Sequence, residues 1–391
     1  MTDSSVGVYV HVPFCERVCP YCDFAVVRAP RLSGADADAY VDAVLCELDE
    51  RARDFAGLRL ASLYLGGGTP SLLRPAAVAR IVRAVRSRFA AAGEVETTLE
   101  LNPGTVERER VPGFRSAGVN RVSVGIQSFQ DAVLKRLGRA HRAAEAWATL
   151  RALRAAGFEN VSIDLIYAAP GQSHAQLLRD LEEARSFGPE HVSIYELTVE
   201  PNTPFALAAR RGQLRLPDES DAARMFEAVQ EVLAGSGYVA YELSSHARPG
   251  FESAHNRRYW ERRPVLGLGV GAWSSEPATP DAPHGARRAN LRALPAYLER
   301  IAAGRSAAAG DAEVLGAATA RGEAAFLALR TARGLEAAGF EREFGAPPRR
   351  FFGPQIAELV AAGLLAEAAD GDLRLTARGR ILSDTVFERF V

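Results

Sequence analysis

Lysine is almost missing from this chain. Of 47 basic residues only Lys135 is a lysine, and the rest are arginines. With so much alanine alongside, the bias reads as codon usage rather than mechanism. No charge of either sign prevails: 47 basic against 48 acidic residues leave a formal net charge of −1. That balance excludes a global basic field for nucleic acid or an anionic membrane. No apolar run approaches the ~18 residues that would span a bilayer. The first ten residues lack the basic and long apolar stretches of a secretory signal, so the expected location is a reducing cytoplasm. Cysteine is scarce, with four in 391 residues, yet Cys15, Cys19 and Cys22 fall within eight positions. In a long chain such clustering argues for metal before disulfide.

What is present is ordinary globular material, 48% hydrophobic and 24% charged, which excludes wholesale disorder. A chain of 391 residues exceeds what one core usually holds and suggests a large domain with a smaller one. Short β-rich segments at 8–12, 60–65, 95–101, 121–126, 161–166 and 192–197 alternate with helical patterns such as Val41, Val44, Leu45, Leu48. Such alternation predicts an α/β fold, a parallel sheet with helices outside, wound into a partial (β/α)6 barrel. The predicted strands run into polar or glycine-rich segments (Gly66 to Pro70, Asn102-Pro103-Gly104, Gln127-Ser128). In a β/α barrel those tails converge on the active site. The expected division is a barrel core over 1–235, a connecting segment over 236–310 that is loose from 275 onward, and a small helical or winged-helix-like domain over 311–391.

Cys15-x3-Cys19-x2-Cys22 follows the first predicted strand directly. Three thiolates can hold three irons of a [4Fe–4S] cube and leave one iron open; structural zinc is the competing reading and wants a fourth ligand. Cys46, in the middle of a helical pattern, is expected to be buried. Consecutive glycines Gly66, Gly67 and Gly68 after a strand permit close approach of backbone to a ligand, or simply a tight turn.

The segment Tyr9-Val10-His11-Val12-Pro13-Phe14-Cys15, with Cys19, Cys22 and Gly66 to Pro70, resembles the radical S-adenosylmethionine (SAM) superfamily. More narrowly it is similar to the oxygen-independent coproporphyrinogen III oxidase-like group, supported by Glu100 to Gly104, Gly125 to Phe129, Gly138 to His141 and Asp164 to Tyr167. The resemblance implies that Cys15, Cys19 and Cys22 ligate the [4Fe–4S] cluster and that SAM chelates the open iron. It places Tyr9, Tyr21, Gly67, Gly68 and Thr69 around SAM, and matches Glu100, Gln127, Arg139 and Asp164 to further contacts. An external electron donor would accompany that chemistry.

Two features separate members of the group. Porphyrinogen-oxidising members resemble Cys-x3-Cys-x2-Cys-x-Cys, whereas Cys22 is followed here by Asp23 and Phe24, and the longer amino-terminal extension of those enzymes is not seen. His255-Asn256-Arg257-Arg258-Tyr259-Trp260 resembles a segment of the heme chaperone group, HemW. That likeness implies heme as a ligand and an acceptor protein as partner, with porphyrinogen decarboxylation in porphyrin biosynthesis as the alternative. His255 is expected either to ligate heme iron beside two aromatic rings or to be a hydrogen-bonded structural histidine. In Gly267 to Gly271, followed by Ala272-Trp273, relatives usually carry a histidine where Trp273 stands. His141, His174, His191, His246 and His284 show no metal-type spacing.

Overall fold

The computed structural model describes residues 4–391, so the first three residues of the expected barrel segment lie outside the described residues. Six parallel strands form its centre: β1 (Ser5–Val12), β2 (Arg59–Gly67), β3 (Ala91–Leu101), β4 (Arg121–Gln127), β5 (Val161–Tyr167) and β6 (His191–Glu196). They lie side by side in chain order, joined by helices such as Gly34–Arg51, Pro75–Arg88 and His174–Phe187. Residues Val6, Val8, Val10 and Val12 are fully buried in the core between β1 and the helices. The intervening residues of each strand turn to the other face.

The sheet does not close. Beyond β1 it continues through Val265–Leu268, parallel to β1, and then antiparallel through Trp273–Glu276 and Ala286–Ala289; beyond β6 it continues antiparallel through Ser245–Ala247. The result is an open barrel with mixed edges. Among the described residues no helix is long and apolar enough to cross a membrane.

The expected loose connection from 275 onward is overturned. That segment supplies the end of the strand Trp273–Glu276, the strand Ala286–Ala289 and the helix Leu294–Ala302, whose Tyr297 is fully buried. Buried Glu47 of the helix Gly34–Arg51 holds it: its carboxylate accepts from the Tyr297 hydroxyl (2.8 Å), Asn290 Nδ2 (2.5 Å) and the Gly269 N–H (2.8 Å). Alanine and proline content masked an ordered sheet edge whose polar contacts come from a helix 220 or more positions away.

Residues 325–390 form a separate apolar core around Leu329, Phe340, Ile356, Leu373 and Phe387. A short hairpin, Leu365–Glu367 with Leu373–Leu375, packs among its helices in the expected winged-helix-like manner. Trp260 meets this domain: the Arg330 guanidinium lies 4.7 Å from its ring centroid.

Cys46 is exposed, not buried. In the helix Gly34–Arg51 the inward residues are Tyr40, Val41, Val44 and Leu48, and position 46, two residues from 44 and from 48, turns to the opposite face. Cys46→Ser is therefore expected to change stability by no more than about 0.5 kcal/mol. Denaturant titration checks this, and a loss of several kcal/mol would return the thiol to the core.

Candidate functional site

A cavity of about 800 Å³ runs through the barrel interior, within the range of small-molecule sites. Its walls follow from strand alternation. On β4, Val122, Val124 and Ile126 are buried in the core, while Arg121, Ser123, Gly125 and Gln127 line the cavity. Gln127 has φ 68°, where β4 breaks register with β5. A non-glycine residue in that region is held there by its surroundings and is common at ligand sites.

The segment after β1 carries Cys15, Cys19 and Cys22 over the carboxyl ends of the strands, and all three free thiols line the cavity. Backbone bonds pin the segment: Ala29 N–H donates to Cys15 O (2.7 Å), and Cys22 N–H to Cys19 O (3.1 Å). A continuous polar arc joins two of the sulfurs. Thr69 Oγ1 donates to Cys15 Sγ (3.7 Å) and accepts from Asn102 Nδ2 (2.7 Å). Arg139 Nη2 donates to Asn102 Oδ1 (2.5 Å), and its Nη1 to Cys19 Sγ (3.6 Å). Hydroxyl and guanidinium donors aimed at sulfur suit thiolates, and three such thiolates fit the donor set of an iron–sulfur cluster. Burial pushes the Cys15 thiol up to about 11 and raises Cys22 as well, so metal or a nearby cation is needed to hold them ionised. Tyr21 lines the same end, its ring 6.2 Å from that of Phe205.

Glu100 and Asp164 face each other across the interior. Glu100 accepts from the Tyr64 hydroxyl and from the Gly67 N–H, each at 2.9 Å. Burial, then the charge of Asp164, raises its pKa to about 7. Asp164 accepts from Ser123 Oγ (2.9 Å), and burial raises its pKa too.

The glycines have a local cause that their sequence reading lacked. Gly67 has φ +107°, and a Cβ there would lie 2.5 Å from the His11 ring; one on Gly68 would lie 2.8 Å from the carbonyls of Val12 and Phe14. Both glycines thus let β2 pass beneath the cysteine segment. His11, outside the predicted site, is the reason: its Nδ1 pairs with Tyr9 Oη (3.1 Å) and its Nε2 with Ala25 O (2.9 Å). It ties the cysteine loop to the barrel floor.

His255 is held as a buried, hydrogen-bonded side chain. It sits in the short helix Ala254–Trp260, 1% exposed. Nδ1 is 2.9 Å from Ser62 Oγ and Nε2 is 3.2 Å from Tyr259 Oη, so both nitrogens are occupied. Its ring stacks on Tyr64 at 5.2 Å. Burial, then Arg258 and Arg121, lowers its pKa to about 3 and keeps it neutral. Asn256 and Tyr259 line the cavity instead, and Trp260, expected against a porphyrin, packs on Arg330. Asn102 and Arg121 were also missed; the alternation Arg121-x-Ser123-x-Gly125-x-Gln127 was the available signal for Arg121.

Two outcomes follow from this geometry. His255→Ala strands two hydroxyls and is expected to cost about 1–3 kcal/mol of stability, with hemin affinity unchanged in an absorbance titration; a lost Soret shift at full stability would restore the ligand role. The Glu100 carboxyl has its pKa raised on folding, so it contributes stability at low pH that is lost as pH rises from about 4.5 toward about 7. Glu100→Gln removes that loss, while the Tyr64 hydroxyl can rotate to accept from the amide. The variant is expected to gain on the order of 2 kcal/mol over wild type at pH 8 and little at pH 5. Melting curves at both pH values decide; an equal gain at both would remove the ionisation argument.

The chain matches the Radical SAM superfamily over residues 9–184 and the HemN C-terminal domain over residues 318–382. It is 36% identical over 385 residues to the heme chaperone HemW of Lactococcus lactis, covering 98% of this chain and 97% of that one. The heme chaperone HemW of Mycobacterium tuberculosis is 36% identical over 386 residues, 99% of this chain and 95% of that one. In structure it is similar to the coproporphyrinogen III oxidase HemN of Escherichia coli, a radical SAM enzyme, with a TM-score of 0.83 and 25% identity over 99% of this chain and 90% of that chain. Cysteine segment, barrel and carboxyl-terminal domain agree with these likenesses from end to end: the chain belongs to the HemW family within the radical SAM superfamily.

Proposed function

We propose that the protein carries a [4Fe–4S] cluster on Cys15, Cys19 and Cys22, binds SAM beside it, and acts in the cytoplasm as a heme chaperone that takes up heme and passes it to an acceptor protein. The similarity to relatives named heme chaperone HemW, 36% identical over 98% of the chain, carries the heme reading. The donor set supports the cluster: three free thiols on one cavity, two of them receiving hydrogen bonds from Thr69 and Arg139.

A bound cluster with one open iron would supply an electron to the sulfonium of SAM. The chain's own residues bind and orient. Asn102 fixes the Thr69 hydroxyl and the Arg139 fork together, so the donors reach the sulfurs without reorganisation. Glu100 and Asp164 can accept from hydroxyl or ammonium groups, and Gln127 can both donate and accept. Tyr9, held by His11, walls the same space.

The fold likeness to HemN favours a second reading, oxidative decarboxylation of coproporphyrinogen III propionates. A shared fold hosts different chemistries, and Phe24 stands where the oxidising members carry a fourth cysteine. Protein reconstituted anaerobically with iron and sulfide separates the two readings. Hemin is expected to give a saturable Soret shift with no consumption of coproporphyrinogen III; conversion to the divinyl product would overturn the chaperone reading. Cys15→Ala, Cys19→Ala and Cys22→Ala are each expected to abolish the iron–sulfur absorbance, and retention of it by any one would remove that thiol from the ligand set.

A further inference from the structure

Arg121 is the charged group in the barrel interior that the protein leaves with the most hydrogen-bonding capacity unmet, two nitrogens against one for Arg139. Arg121 opens β4, is 1% exposed and lines the cavity. Its Nε and Nη1 are buried without a hydrogen-bond partner. The nearest carboxylate is Glu96, whose Oε2 stands 3.9 Å from Nε. That carboxylate is already used: its oxygens accept from the Ala254 and His255 N–H groups at 3.1 Å each, at the start of the helix Ala254–Trp260. Other buried arginines are treated differently. Arg51 donates Nε to Asp54 and Nη2 to Glu276, and Arg258 donates to Ser5 and to Pro264 O.

A guanidinium is charged at every relevant pH and carries donors only. Buried with unmade bonds it costs stability, and the cost is recovered when an acceptor arrives. The surrounding space names the acceptor. Asn256 and Tyr259 line the same cavity as Arg121, and Glu100 and Asp164 border it as well. A multiply charged anion such as phosphate would be repelled by those two acids. A single planar carboxylate matches the guanidinium in charge and shape.

We propose that Arg121 is an anion-recognition group at the end of the cavity away from the cysteines, receiving a carboxylate of the ligand held in the barrel. The proposal rests on the reading of this cavity as the SAM and heme site. The carboxylate is a heme propionate, because the amino-acid end of SAM belongs at the open iron beside the cysteines.

The test uses full-length, cluster-reconstituted wild type, Arg121→Gln and Arg121→Lys, each titrated with hemin and with hemin dimethyl ester. Arg121→Gln is expected to weaken hemin by about tenfold or more, as befits a lost charge-assisted bond. The dimethyl ester is expected to bind as before, and Arg121→Lys to recover part of the loss. Unchanged hemin binding in both variants would overturn the proposal and leave Arg121 to water. If neither variant folds, wild type decides alone: equal affinity for hemin and its ester overturns it, and a preference for the acid supports it. Absence of binding of either to wild type would defeat the chaperone reading and this proposal with it, whereas binding of both without discrimination defeats this proposal alone.

Discussion

An open sheet of six parallel strands cannot seal its own concave face, and here a helix of seven residues does it. The helix Ala254–Trp260 lies across the amino-terminal halves of β1, β2 and β3. His255 meets Ser62 of β2, Glu96 of β3 caps the helix backbone, and Arg258 reaches Ser5 at the start of β1. A Cβ on Gly7 would lie 2.7 Å from the Arg258 side chain, so β1 carries a glycine where that arginine crosses. These contacts cover the amino-terminal side of the concave face, and the cysteine segment lies over the carboxyl ends of the strands.

The same helix explains why the carboxyl-terminal domain belongs to this site without contributing to it. Trp260 projects outward to Arg330, which in turn lies 4.0 Å from buried Glu242 and 5.8 Å from the Phe387 ring. Arg262, just after the helix, pairs with Glu343 at 2.6 Å. One short segment thus faces the cavity with Asn256 and Tyr259 and the second domain with Trp260. Removing its polar contacts would loosen both, since buried polar groups left unpaired are costly.

Much of this was legible in the sequence, for a physical reason. Strand ends, the cysteine spacing and the glycine run are local features, and local features survive translation into structure. Six strands appear where alternating β-rich and helical patterns put them, and the predicted contacts Tyr9, Thr69, Glu100, Gln127, Arg139 and Asp164 all line one cavity. What failed depended on partners far along the chain. Cys46 shares a helix with buried residues but points the other way, a matter of 100° steps that a run of apolar letters conceals. The segment from 275 onward reads as loose until Glu47 is placed against it. His255 could be read either as a ligand or as a structural histidine, and its partners, Ser62 193 positions away on one nitrogen and Tyr259 on the other, were not visible in the sequence.

The interior chemistry turns on a balance that the fold cannot settle by itself. Glu96, Glu100 and Asp164 are acids on the inward face, opposed by Arg121 there and by Arg139 at the cysteine end. Burial raises the carboxyls of Glu100 and Asp164, and the Asp164 charge raises Glu100 further. Arg121 offsets part of that through space, yet two of its nitrogens meet no acceptor. Arg139 keeps one unpartnered nitrogen, Nε, but both its Nη atoms are held, by Asn102, Gly125 O and Cys19. The cysteine end is therefore preorganised, whereas the far end carries charge and hydrogen-bonding capacity still to be matched. A ligand bearing cationic or hydroxyl groups toward Glu100 and Asp164 and an acid toward Arg121 would satisfy both at once. Polarity of that sense, set by which inward position of each strand carries acid or base, orients a ligand before any reaction begins.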